Sequence, residues 1–302
     1  MLRNAPAVCL ALLLALLCAF ATSAHAAPSE APASFDASNV YIYVPSSLPD
    51  RSRPAQVLFA LHGMGGEGKG FSLALIAAAE QNGWVLVAPT FGYRNWRDPA
   101  TVAEDDLALT HDLVDLLDAL PERLGRPVEP RAILLGFSRG AQLAHRFALT
   151  YPDRTRAVAA MSAGSYTVPS PLAPGRNDVQ PLPFPFGTAD LASRSGHPVT
   201  PGALEQVPFW IAVGGDDASA SDVPRQWDSL LGKTRLERAR SFVSYLGLSG
   251  VRASFTVFPH TGHAMTPAMI DAAVAFLRAE TAPPPRFDAT PVLTALAGPL
   301  AI

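Results

Sequence analysis

Residues 132–149 read AILLGFSRGAQLAHRFAL, and this stretch decides how the rest of the chain is read. Four apolar residues, AILL, make a buried strand run, and AQLAHRFAL has the length and spacing of a helix. Between them, Gly136-Phe137-Ser138-Arg139-Gly140 is a G-x-S-x-G turn. A strand that passes into a helix within one tight turn forces the central residue into a strained backbone conformation. Glycines flank it because a Cβ on either side would collide with the turn. The serine hydroxyl is thereby exposed at the carboxyl edge of a sheet, beside a helix N-terminus that favours negative charge.

Working outward, apolar strand runs alternate with helical patterns. Strands are expected at 40–44, 56–61, 84–88, 131–137, 157–161, 209–213 and 253–258. Helices are expected at 71–81, 104–120 (acidic in its first turn, with Pro121 after it), 138–151, 234–246 and 267–279. Such alternation implies right-handed crossovers and an α/β fold, a mostly parallel central sheet with helices on both faces. The proline-rich segment 165–208, with Phe184 and Phe186 in PLPFPFG, is too long for an ordinary connection and is read as a cap insertion over a site. From Thr281 a proline-rich tail, 281–302, reads as a loose extension of a domain spanning 27–280.

The amino terminus is set apart. Arg3 precedes the apolar run VCLALLLALLCAFA, and Ala24-His25-Ala26 offers a small-x-small cleavage site. Residues 1–26 are therefore expected to be a signal peptide cut after Ala26, with the mature protein secreted or periplasmic and not inserted in a membrane. Both cysteines, Cys9 and Cys18, fall in that segment, so the remaining 276 of 302 residues hold no disulfide and no thiol nucleophile. Without Arg3 the charge is 22 basic against 26 acidic residues, with no run of like sign. That balance gives no footprint for nucleic acid and no polybasic membrane patch. Oligomeric state is not legible.

Residues 62–70, HGMGGEGKG, follow the strand at 56–61 and admit three readings. A P-loop would need Ser or Thr where Gly70 stands. A dinucleotide fingerprint would need an acid after the next strand, and 84–90 ends in Ala-Pro-Thr. With both excluded, no cofactor is implied. The third reading makes His62-Gly63 the start of a loop whose backbone N–H groups face a substrate carbonyl, and it fits the serine turn at 138.

The strand–serine–helix turn and this loop resemble the α/β-hydrolase fold over nearly the whole mature chain. Within it the chain resembles secreted esterases related to polyhydroxyalkanoate depolymerases and feruloyl esterases. The resemblance implies a chain order of Ser, then acid, then His. Ser138 is the expected nucleophile. His263 in FPHTGHAMTP is the favoured base, with His260 its rival, and Asp217 in Gly214-Gly215-Asp216-Asp217 is favoured over Asp216 and the more distant Asp222. His260 and His263 lack the helical frame and third ligand of a metal site, so no metal is expected. The amides of Met64 and Arg139 are the expected oxyanion donors.

The implied function is a serine esterase working through an acyl-enzyme on a small-molecule or polymeric ester. An acyltransferase or peptidase using the same groups, or a silent binding protein on this scaffold, are the alternatives. Phe91, Tyr93, Trp96, Phe184 and Phe186 are candidate substrate-binding residues. Arg94, Arg97 or the Arg139 side chain could meet a carboxylate. The same aromatics could equally pin long loops to the core.

Overall fold

The computed structural model describes residues 31, 33–48, 51–173, 179–198, 200 and 202–282. The expected signal peptide and the tail beyond 282 lie outside the described residues. Along the chain run β1 (Val40–Tyr43), β2 (Gln56–Leu61), α1 (Gly68–Ser72), α2 (Ile76–Asn82), β3 (Trp84–Pro89) and α3 (Pro99–Leu124). There follow β4 (Ala132–Phe137), α4 (Arg139–Thr150), β5 (Thr155–Met161) and a two-stranded hairpin of β6 (Leu172–Ala173) and β7 (Gln180–Pro181). The chain then makes β8 (Phe209–Gly214), α5 (Arg235–Leu248), β9 (Ala253–Phe258) and α6 (Pro267–Thr281).

Seven strands hydrogen-bond in the order β1-β3-β2-β4-β5-β8-β9. All pairings are parallel except β1 on β3. Side chains alternate across the sheet, so each strand supplies two cores. Val57, Phe59 and Leu61 of β2 face α3, α4 and α5, while Leu58 and Ala60 face α2 and α6. Both faces are covered, as a parallel sheet requires. No helix among the described residues is long and apolar enough to cross a membrane.

Several expected boundaries move, each for a local reason. The helix expected at 71–81 is two short helices joined by a 3-10 turn, Leu73–Leu75. It starts early because Gly68 lies against β3, where a Cβ would stand 2.1 Å from the Ala88 carbonyl oxygen. The helix expected at 104–120 begins at Pro99, after Asp98 accepts the Thr101 N–H at 3.0 Å. It runs through Pro121 to Leu124 and ends at Gly125 with φ 59°. A proline in the last turn forfeits one hydrogen bond, while Leu120 and Leu124 stay packed on the core. Asp105 and Asp106 are therefore not first-turn acids but buried groups in the helix interior.

Neither Phe184 nor Phe186 of the segment 165–208 lines the crevice at Ser138. Phe184 is buried with Ala103, Leu149 and Leu191 on the flank of α3 and α4, and Phe186 packs on Trp227 with ring centroids 4.5 Å apart. Thr281 belongs to α6 and is buried, and its carbonyl accepts from the Gln56 side chain at 3.0 Å.

Candidate active site

The chain moves outward from β2 to β3 and then returns past β2 to β4, so a crevice opens at the carboxyl ends of β2 and β4. Open α/β sheets bind ligands at such a switch point. Leu61 of β2 pairs with Gly136 of β4, which brings the loop after His62 beside the turn that carries Ser138. Ser138 sits at φ 55°, ψ −114°, and its N–H donates to the Met161 carbonyl at 2.8 Å. A side chain tolerates that conformation only where the surroundings over-determine it. They do so here: a Cβ on Gly140 would lie 1.9 Å from the Leu61 carbonyl oxygen, and one on Gly136 would lie 2.3 Å from that of Gly140. Helix α4 is buried along its whole length, so the turn rests on a fixed base.

His263 and Asp217 reach Ser138 from β9 and β8. His263 Nε2 is 2.9 Å from Ser138 Oγ, and its Nδ1 is 2.8 Å from Asp217 Oδ2. An ionised carboxylate accepts only, so Nδ1 carries the proton and Nε2 is free to accept from the hydroxyl. The two loops are knitted together: Gly215 N–H donates to the Phe258 carbonyl at 2.7 Å and Asp216 N–H to that of Thr261 at 2.9 Å. The His263 ring stacks on Phe137, centroids 4.9 Å apart. His260 and Asp216 are exposed and stand outside this chain of contacts.

Asp217 is 3% exposed. Burial pushes its carboxyl up, but the hydrogen bond from His263 and the Arg235 charge outweigh burial and hold it below the usual carboxylate value. Arg235, the first residue of α5, donates through Nη1 to Asp217 Oδ1 at 3.0 Å and through Nη2 to the Asp222 carbonyl at 2.8 Å. Sequence reading missed Arg235. Its partner lies 18 positions away, and the only local feature is the Thr234–Glu237 capping box beside it.

On the β2 side, His62 is buried and its Nδ1 lies 2.7 Å from the Gly63 carbonyl oxygen. Its Nε2 accepts from Phe91 N–H at 2.9 Å, and the Tyr93 hydroxyl donates to its carbonyl at 3.2 Å. Burial lowers the His62 pKa, so a neutral ring braces the loop. The glycines of 62–70 divide their work. Gly63 approaches Ser138, Gly65 takes φ 70°, and Gly68 serves helix packing rather than substrate approach.

Gly63, Met64, Trp96, Ser138, Arg139 and His263 line one cavity of about 370 Å³. Of the five candidate aromatics only Trp96 lines it. Phe91 and Tyr93 pack on His62, and Phe184 and Phe186 are taken up by the core, so these four act as loop anchors. Arg94 pairs with Asp105 and Glu104, and Arg97 stacks over Trp96 at 3.9 Å. Beneath α4, Asp106 takes Arg139 Nη1 on one oxygen and Arg146 Nη1 on the other, each at 2.6 Å. Burial pushes the Arg146 guanidinium down to about 10, still charged at neutral pH. The signal for this network was present as Gln142 and Arg146, one and two turns after Ser138 in a helix whose other residues are mostly apolar or small.

By sequence the chain matches no family model and no curated protein. By structure it is similar to poly(aspartic acid) hydrolase-1 from Sphingomonas sp. KT-1, with a TM-score of 0.59 at 20% identity over 79% of this chain and 92% of the other. It is also similar to a poly(3-hydroxybutyrate) depolymerase from Bordetella parapertussis, with a TM-score of 0.58 at 21% identity over 87% and 92%. A third likeness, to esterase PE8, has a TM-score of 0.53 at 18% identity over 82% and 99%. Identities this low speak to architecture alone, and the architecture they share with the sheet order above is the α/β-hydrolase fold.

Proposed function

We propose that the protein is a serine hydrolase of carboxylic esters, exported through a signal peptide cut after Ala26. The observation that carries the reading is the hydrogen-bonded chain from Ser138 Oγ through His263 to Asp217. A serine hydroxyl is a weak nucleophile until a base accepts its proton. His263 Nε2 takes that proton as Oγ attacks the ester carbonyl, then returns it to the leaving alcohol. Asp217 orients the imidazole and stabilises the imidazolium.

The tetrahedral oxyanion would be held by the N–H groups of Met64 and Arg139. Arg139 is the first residue of α4, and the first N–H groups of a helix have no intrahelical acceptor. Removing one such donor from a known protease costs about 3 kcal/mol in barrier, which sets the scale. Water then attacks the acyl-enzyme with His263 as base, and Ser138 is released. The sequence of steps calls on no metal and no organic cofactor.

The solved structures it resembles carry names of a polyester depolymerase, a poly(aspartic acid) hydrolase and an esterase. An ester is therefore the first substrate to offer. The test is the rate on short-chain alkyl esters and the matching amides, for wild type and Ser138→Ala. Ester turnover that falls by about 10⁴-fold or more in a folded variant supports the reading. Comparable turnover in the variant refutes it.

A further inference from the structure

One wall of the cavity holds side-chain donors that lack a hydrogen-bond partner among the described residues. Arg139 is 2% exposed, Gln142 5% and Arg235 6%, and all three line the cavity. Arg139 Nη1 meets Asp106, but Nη2 has no hydrogen-bond partner among the described residues. Arg235 commits Nη1 and Nη2 to Asp217 and the Asp222 carbonyl, which leaves its buried Nε without one. Gln142 Oε1 accepts from Ser165 Oγ at 2.9 Å and from Arg146 Nη1 at 3.4 Å. Arginine can only donate, so the amide orientation is fixed and the Gln142 NH₂ is left over.

Two of these donors lie close to one glycine. A Cβ built on Gly164 would stand 3.2 Å from Gln142 Nε2 and 3.9 Å from Arg235 Nε. Val223 Cγ1 would lie 3.8 Å from the same point, so Gly164 forms a tight corner of the cavity with both nitrogens close to it. Buried donors without acceptors are costly, and a ligand oxygen placed there would relieve the cost. Asp106 is shared by Arg139 and Arg146, while Asp217 pairs with Arg235. Asp222, the only carboxylate among the described residues that line the cavity, is exposed and accepts from Ser221 Oγ at 3.2 Å.

We infer that the cavity wall formed by Gln142, Gly164 and Arg235 is a subsite for a carboxylate carried on the acyl part of the ester. This rests on the esterase reading above. Gln142 lies about one helical turn beyond Ser138 and both line the cavity, so the carboxylate is carried on a short acyl chain. Half-esters of short dicarboxylic acids meet that description.

The experiment compares kcat/KM for monomethyl succinate with that for methyl isocaproate, in which an isopropyl group replaces the carboxylate. Wild type is expected to favour the half-ester about tenfold or more, the scale of one charge-assisted hydrogen bond. Gly164→Ala, which puts a methyl 3.2 Å from Gln142 Nε2, and Gln142→Leu, which removes a donor, are each expected to bring the ratio of the two esters toward one. Both readouts are internal ratios, so a general loss of activity cannot imitate the result. An enzyme that cleaves isocaproate and shows no preference for the half-ester overturns the subsite and leaves the esterase reading standing. Failure on both esters, with no labelling of Ser138 by a fluorophosphonate, removes the esterase reading itself.

Discussion

Arg235 Nη1 meets Asp217 on Oδ1, the oxygen that His263 does not use. The carboxylate is thus held from both sides, by a ring that must turn freely enough to pass a proton and by a guanidinium fixed at a helix start. Arg235 is a positioning residue: it keeps a buried carboxylate ionised and its plane aligned with the imidazole. Replacing it with Met leaves Asp217 with one partner fewer in a desolvated site. The expected result is a kcat lower by about 10- to 100-fold and an acid limb of kcat/KM moved to higher pH, since the Asp217–His263 pair loses a neighbouring cation. Arg235→Lys should restore part of both. A pH profile that coincides with wild type would leave Arg235 a merely structural role.

Asp217 and Asp216 should separate cleanly. Asp217→Asn is expected to reduce kcat by about 10⁴, the cost of the wrong imidazole tautomer in a serine protease. Asp216→Asn, at an exposed position whose backbone alone is engaged, should stay within about twofold of wild type. Rates on one good ester substrate suffice to compare them.

The turn at 136–140 should be intolerant of added atoms. Gly140→Ala would press a methyl against the Leu61 carbonyl and is expected to cost about 3 kcal/mol or more. Gly92→Ala, where nothing lies within 4 Å, should be close to neutral. Ser138→Gly should go the other way and gain about 1 kcal/mol by releasing the strained φ while abolishing turnover. Urea unfolding of the three variants reads all of this directly.

Acidification should weaken the fold through two buried histidines. Burial depresses the pKa of His62 and places that of His145 well below the ordinary value of 6.5. His145 accepts from Thr167 N–H at 3.0 Å and its Nδ1 lies 3.0 Å from the Ala141 carbonyl oxygen, so the folded state holds it neutral. Below about pH 6.5 the unfolded chain binds protons that the folded one refuses, and stability falls with pH by up to about 1.4 kcal/mol per unit for each group. Asp217 adds a second loss lower down, as pH passes below its depressed pKa. Denaturation midpoints at pH 7.5 and 5.5 should differ, and His145→Gln should reduce the difference.

How much of this was legible depended on whether the signal was local. The turn at Ser138 and the strand runs declared themselves because strand, glycine and helix are adjacent in sequence. His263 was found from its place after the last strand. The contacts of Asp217, Arg235 and Asp106 span 18 to 46 residues, which no window reveals. The aromatics misled for a related reason. Phe184 and Phe186 look available in a proline-rich segment, but the flank of α3 and α4 buries Phe184 and Trp227 packs on Phe186, and burial wins. Pro121 marked no helix end because its neighbours' packing outweighed one lost hydrogen bond.

The central claim is that Ser138 is an activated nucleophile, and a fluorophosphonate probe tests it most directly. The purified, folded protein is treated with the probe, digested and mapped by mass spectrometry. A single adduct on Ser138 is expected, absent in Ser138→Ala and strongly slowed in His263→Ala. An adduct on another residue, or none on Ser138 in folded protein, would contradict the account.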